Sequence, residues 1–124
     1  MKKIIQTDKA PKAIGPYSQA VEVNNTLYIS GQLPIDPETM EMPATIGEQA
    51  EQVMENIGAI LKEAGYDFKD VVKSTIFLND IKDFQKMNGI YGQYYQENPP
   101  ARSAYEVANL PKGAKIEIET IAVK

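Results

Sequence analysis

Arginine occurs once in this chain, at Arg102, inside the stretch NPPARSAYEV at 98–107. Twelve lysines make up the other basic residues, and histidine and cysteine are absent. A guanidinium presents a planar fork of donors that matches a carboxylate two bonds at a time, which an ammonium cannot reproduce. Pro99 and Pro100 stiffen the approach to it, and Arg102 then leads an alternating stretch in which Arg102, Ala104, Glu106 and Ala108 share a face. The pattern suits an anion clamp. It equally suits a surface arginine paired with a nearby glutamate, and composition does not separate the two.

The second group of interest lies in KIEIETIAV, 115–123. Glu117 and Glu119 share a strand face with Ile121 and Val123, while Ile116, Ile118, Thr120 and Ala122 occupy the other. A hairpin between the last two strands would put Arg102 on the same face as Glu117 or Glu119 and bring a carboxylate to the fork. The pattern alone favours a plainer reading, a half-buried strand showing its acids to solvent.

The residue inventory narrows the chemistry. Without histidine or cysteine there is no Ser-His or Cys-His nucleophile, no imidazole acid or base, and no thiolate zinc site. The carboxylates show no calcium-loop spacing; Asp67–Asp70 and Asp80–Asp83 read as cap and turn residues. Neither a phosphate loop nor a dinucleotide glycine fingerprint is present, so no metal and no cofactor is expected. Glu, Asp, Lys, Tyr and one Arg remain, a set able to hold a small anion and steer a water.

At 124 residues the chain is expected to form a single domain, 1–124. The net charge of −4, with lysines scattered among acids, disfavours nucleic acid as a partner. MKKIIQTDKAPK has no apolar core of a signal peptide and no apolar run could span a bilayer, so a soluble cytoplasmic protein without membrane contact is expected.

The elements that would position these residues follow from periodicity. Tyr17–Val23 and Thr26–Ser30 read as a hairpin about Asn24-Asn25, and 31–43, with Pro34, Pro37 and Pro43, as a loop. Thr45 and Glu48 form a capping box before an amphipathic helix, whose apolar residues run from Ile46 to Ala64 and which Gly65 stops. Val71–Leu78 reads as a strand. A second helix follows, capped by Asp80 or Asp83 and carrying Phe84, Met87, Tyr91, Tyr94 and Tyr95. Ser103–Ala108, Lys115–Val123 and a short Lys3–Gln6 complete the strands. The order β-β-β-α-β-α-β-β gives an α+β domain of two layers, two helices on one face of a mixed sheet. Apolar residues on both faces of 116–123 suggest that both are covered, the second most economically by another copy of the chain.

AIGPYSQAV (13–21), YISGQLPIDPET (28–39), VVKSTIFLND (71–80), DFQKMNGIYGQYY (83–95) and PPARSAYEVANLPKGAKIEIETIAV (99–123) closely resemble the Rid family, the reactive intermediate deaminases formerly called YjgF. The likeness spans essentially the whole chain; IGPYSQAV, SGQLP, PPARSAYEVANLP and KIEIE point to the RidA subgroup. It implies a chorismate-mutase-like fold assembled as a homotrimer, with sheets facing inward as a central barrel and three clefts between subunits. It also implies metabolite damage control: hydrolysis of reactive 2-imino or 2-enamino acids to 2-keto acids and ammonia. On this resemblance Arg102 grips the substrate carboxylate and Glu117 positions or activates water. Tyr17, Ser30, Gly31 and Asn88 line the cleft, Tyr17 being a candidate proton donor for enamine tautomerisation. Two departures stand out. Ala104 occupies a position where many members of the subgroup have cysteine, so thiol redox behaviour does not transfer. Met40-Glu41 replaces a common Thr-Gly turn, in a loop expected to lie away from the cleft. Two rival readings are a non-catalytic, carboxylate-binding or chaperone-like trimer and, less in keeping with the residues, an endoribonuclease.

Overall fold

Thr45 opens the longest element by reciprocal bonding: its Oγ1 accepts from the Glu48 amide at 3.2 Å, and the Glu48 carboxylate accepts from the Thr45 amide at 3.4 Å. Helix α1, Ile46–Ala64, runs from there to Gly65, whose left-handed backbone (φ 83°) turns the chain out. Its apolar stripe of Val53, Met54, Ile57, Ile60 and Leu61 is buried, each side chain contributing about 1.5–3 kcal/mol on leaving water. In this computed structural model, which covers residues 1–124, that stripe lies on one face of a six-stranded sheet. The strands are β1 (Lys3–Ile5), β2 (Ala20–Val23), β3 (Thr26–Gln32), β4 (Val71–Leu78), β5 (Ala101–Glu106) and β6 (Ile116–Val123). Helix α2, Phe84–Tyr94, packs beside α1. The expected order of elements and the α+β class are both observed.

Asn24 and Asn25 take the positive φ values (51° and 59°) that a two-residue hairpin needs. Of the two candidate caps before α2, Asp80 accepts from the Lys82 amide in a 3₁₀ turn, Ile81–Asp83, that leads into the helix, whereas the Asp83 side chain caps nothing. No helix is long and apolar enough to cross a membrane.

The sheet order is β1-β2-β3-β6-β4-β5, antiparallel throughout except for the parallel pair β4–β5. The last two strands therefore do not form a hairpin. Helix α2 is a crossover that returns the chain parallel to β4 on its outer edge. The segment after β5 then passes the end of β4, where Val107 donates to Leu78 O and Asn79 to Lys115 O. This carries β6, with its buried Ile116, Ile118 and Ala122, to the centre of the sheet.

Register settles which residues share a face. Ser74 pairs with both Arg102 and Thr120, and Ile76 with both Ala104 and Ile118, all on the helix side. Phe77 pairs with Glu117 and Tyr105 on the opposite side. Arg102 and Glu117 thus occupy opposite faces of one sheet, contrary to the same-face expectation. The side away from the helices is open in the single chain: a cross-strand row Ile4–Val21–Tyr28–Ile121 runs over it, and Ile4, Tyr28, Tyr105 and Val123 are exposed.

Candidate active site

Strand β3 does not stop at Ser30. It continues to Gln32 through a bulge: Ile29 pairs with Thr120 and Gln32 with Ile118, leaving Ser30 and Gly31 opposite a single residue of β6. Gly31 at this bulge gives way to the Glu117 side chain. A Cβ there would stand 2.5 Å from Glu117 Oε2 and 2.9 Å from its Cδ, closer than real contacts allow. The carboxylate thus lies directly against the β3 backbone, and any side chain at 31 would have to displace it. Burial pushes its pKa above the ordinary glutamate value and the neighbouring Glu119 charge pushes it further the same way.

Around Glu117 is a cleft of about 610 Å³, lined also by Tyr17, Ser30, Gly31, Glu119, Lys12 and Lys112 among others. Its walls are loops held by buried amides. Gln19 donates through Nε2 to Thr7 O and Pro11 O and accepts from the Thr7 amide, fixing the loop that ends in Tyr17. Ser30 Oγ donates to Ser18 O at 2.6 Å. From α1, Asn56 donates to Leu33 O and Ile35 O, and Gln49 bridges Pro43 O and the Lys115 amide. Polar residues on the inner face of an amphipathic helix here hold the cleft loops rather than a core.

Arg102 is elsewhere. It projects from the outer strand toward α2, where Nη1 donates to Asn88 Oδ1 at 2.6 Å and Cζ lies 5.3 Å and 5.2 Å from the ring centroids of Phe84 and Tyr91. The guanidinium is exposed and hydrogen-bonds a neutral amide rather than a carboxylate. The six expected site residues therefore fall into two groups within one chain: Tyr17, Ser30, Gly31 and Glu117 at the cleft, Arg102 and Asn88 at the α2 side of the outer strand. One chain does not bring the two groups together.

Three features escaped the sequence. Lys12 and Lys112 line the cleft, and nothing in a scattered lysine pattern marks them; Glu119, weighed beside Glu117 in the sequence, lines it too. Gln19 looked like a strand polar residue and is the anchor of a cleft wall. Met40 also lines the cleft, at φ 62°, so the loop expected to be remote is one of its walls. The reason is the amide pair donated by Asn56, which folds the proline-rich segment back over the bulge.

The chain matches the family model described as Endoribonuclease L-PSP over residues 7–124. It is 57% identical to a Bos taurus protein named 2-iminobutanoate/2-iminopropanoate deaminase, over all of this chain and 91% of the bovine one. Among solved structures, RidA from an Antarctic Psychrobacter superposes with a TM-score of 0.96 at 53% identity, covering 98% of this chain and 99% of that one. Escherichia coli TdcF, solved with bound serine, gives 0.95 at 45% identity, covering 98% of each.

Proposed function

Because the chain belongs to the endoribonuclease L-PSP family, the Rid proteins, and to its RidA branch, we propose that it is a 2-iminobutanoate/2-iminopropanoate deaminase. It hydrolyses reactive 2-imino and 2-enamino acids to 2-keto acids and ammonia. One observation carries the reading at the level of geometry: a half-buried carboxylate of raised pKa, Glu117, lies in a cleft beside Tyr17, while the one guanidinium, in no carboxylate pair, stands on the other face of the same sheet.

The chemistry asks little of the protein. The carbon of a protonated imine is already strongly electrophilic, so orientation matters more than force. Arg102 holds the substrate carboxylate through its fork. Glu117 takes a proton from water as the water oxygen bonds to the imine carbon, giving a carbinolamine. It returns that proton to the nitrogen, then takes the hydroxyl proton as the C–N bond breaks and the carbonyl of the keto acid forms, and passes it on to the departing ammonia. A carboxyl with raised pKa serves both transfers better than an ordinary one, being closer to the pH at which it must gain and lose a proton. An enamine must first be protonated at its β-carbon, for which Tyr17 supplies a hydroxyl in the cleft wall. Ser30, Gly31 and Asn88 complete the binding surface.

Since the two groups face opposite sides of the sheet, a working site takes Arg102 and Asn88 from one protomer and Tyr17, Ser30, Gly31 and Glu117 from another. Exposed Ile4, Tyr28 and Val123, with half-buried Ile121, supply apolar area for such an assembly. We assign a homotrimer in which the open faces meet as a central barrel and three clefts form between subunits. Carboxylate binding without turnover is the second reading, favoured by the serine bound to TdcF.

The test follows keto acid and ammonia release from an imine generated in situ, for wild type, Arg102→Lys and Glu117→Gln, with sedimentation of the same samples. Both substitutions should slow release on the order of 100-fold. An Arg102→Lys protein as fast as wild type would remove the bidentate clamp, a sedimenting monomer would remove the shared cleft, and binding of 2-ketobutyrate without imine turnover would establish the second reading.

A further inference from the structure

The guanidinium of Arg102 is held from one side only, by α2. Phe84, Asn88 and Tyr91 stand at i, i+4 and i+7 on that helix and share a face. Asn88 takes one N–H; the two rings take the π faces, Tyr91 at 5.2 Å and Phe84 at 5.3 Å from Cζ. The two rings are not equivalent. Phe84 is half-buried, whereas Tyr91 is buried and packs on Tyr95 with centroids 4.8 Å apart.

Tyr91 also carries an anchor that Phe84 lacks. Its hydroxyl donates to Ser74 Oγ at 2.9 Å, and Ser74 is fully buried on β4. Ser74 is the residue that pairs with Arg102 across the β4–β5 ladder. A closed path results, from the Arg102 backbone across the ladder to Ser74, through the hydroxyl to the Tyr91 ring, and back to the Arg102 guanidinium. Each link fixes the next. Burial pushes the Tyr91 hydroxyl above its ordinary pKa, so it remains a donor to Ser74 throughout the working pH range.

From this path we infer that Tyr91 is a positioning residue for the carboxylate clamp: its ring sets the plane of the Arg102 fork, and Ser74 sets the ring. The inference rests on the functional reading above and adds to it a residue that never touches substrate. Asn88 engages only Nη1, so the guanidinium keeps further N–H donors, and a ligand carboxylate can meet two of them at once. The guanidinium is exposed in the single chain; covered by a neighbouring protomer in the assembled cleft, its cation–π contact is strong enough to decide between this geometry and free rotation of a long side chain.

Without the Tyr91 ring the fork can still make both bonds to a bound carboxylate, so orientation within the complex survives and only the cost of ordering the free side chain is added to binding. KM rises while kcat holds. Steady-state kinetics on an imine generated in situ, and calorimetric binding of 2-ketobutyrate, are measured on the assembled protein for wild type, Tyr91→Phe, Tyr91→Leu and the similarly space-filling Tyr91→Met. Tyr91→Leu is combined with Arg102→Lys as a cycle. Loss of the ring in Tyr91→Leu or Tyr91→Met should raise KM and the 2-ketobutyrate Kd about tenfold, the factor that 1.4 kcal/mol represents. Tyr91→Phe, which keeps the ring, should stay within about threefold. In the Arg102→Lys background Tyr91→Leu should change neither constant further. Whichever of the Leu and Met variants folds decides the matter. A KM unchanged from wild type, or the same rise in the Arg102→Lys background, overturns the inference while leaving the deaminase reading intact. A wild type that neither turns over the imine nor binds 2-ketobutyrate removes both.

Discussion

Two inactive variants of this protein should restore activity when their subunits are mixed. Arg102 lies on the helix face and Glu117 on the open face of one sheet, so a cleft that uses both draws them from different protomers. Arg102→Ala subunits still offer an intact Glu117, and Glu117→Gln subunits an intact Arg102. In a random equimolar trimer, a given cleft is intact when the protomer facing it with Glu117 is of the first kind and its neighbour is of the second. That holds for about one quarter of clefts. Each parent should retain about 1% of wild-type turnover or less, so the mixture should exceed either parent by roughly 25-fold. The subunits are exchanged by co-refolding, and keto acid release is measured on the mixture and on each parent treated identically. Activity at the mean of the parents would mean that one chain carries both groups of its own site, and the partition across the sheet would then be irrelevant to catalysis. Full wild-type activity would refute it as well, since random association cannot make every cleft intact.

Gly31→Ala puts a methyl 2.5 Å from Glu117 Oε2, forcing the carboxylate aside; kcat should fall roughly 100-fold with KM little changed, and a kcat within a few-fold of wild type would show that the position of Glu117 is not critical. Glu119→Gln removes the second of the two causes that raise the Glu117 pKa, burial being the first. With Glu117 as the proposed base, activity should fall as pH drops through its pKa; lowering that pKa should move the acidic limb of kcat toward lower pH, and a pH–rate profile with an unmoved limb would remove the coupling. Thr120 buries a hydroxyl without a hydrogen-bond partner, so Thr120→Val should be neutral to stabilising by about 1 kcal/mol, raising Tm by a few degrees; a clear fall in calorimetric Tm would contradict it.

Long periodic segments were readable from the residues alone because their signals are local. The Thr45–Glu48 box and Gly65 bound α1 as expected, and Val71–Leu78 is a strand from end to end. The split of β6 into Ile116, Ile118 and Thr120 against Glu117 and Glu119 also holds. Sheet order was another matter. Strands β5 and β6 are consecutive, with only residues 107–115 between them, which favours pairing, yet α2 delivers β5 parallel to β4 and β6 crosses to the other edge of β4. That is decided by where helices pack, which no window of sequence contains. The same limit applies to the site. Arg102, Glu117, Tyr17, Ser30, Gly31 and Asn88 were singled out as candidates mainly through motif resemblance. The bulge that lodges Glu117 against Gly31 depends on pairing with β6, and Met40 reaches the cleft through Asn56, sixteen residues further along the chain in α1.

A mild reaction explains why so few groups suffice, and the sheet explains why they are placed as they are. In one protomer the open face exposes Ile4, Tyr28, Tyr105 and Val123 while Glu117 is only half-buried. Assembly through that face would withdraw water from Glu117 and Glu119 together, and both consequences act in one direction: desolvation and the pair's repulsion each favour the protonated carboxyl. The glutamate would then be tuned for proton exchange in the complex that also supplies Arg102 from a neighbour. Such tuning has a cost, because two acids close together on a covered face oppose association, and the apolar row Ile4–Val21–Tyr28–Ile121 must offset it. Assembly, proton affinity and substrate capture would therefore be coupled through one surface, and a variant that weakens association should lose activity before it loses its fold.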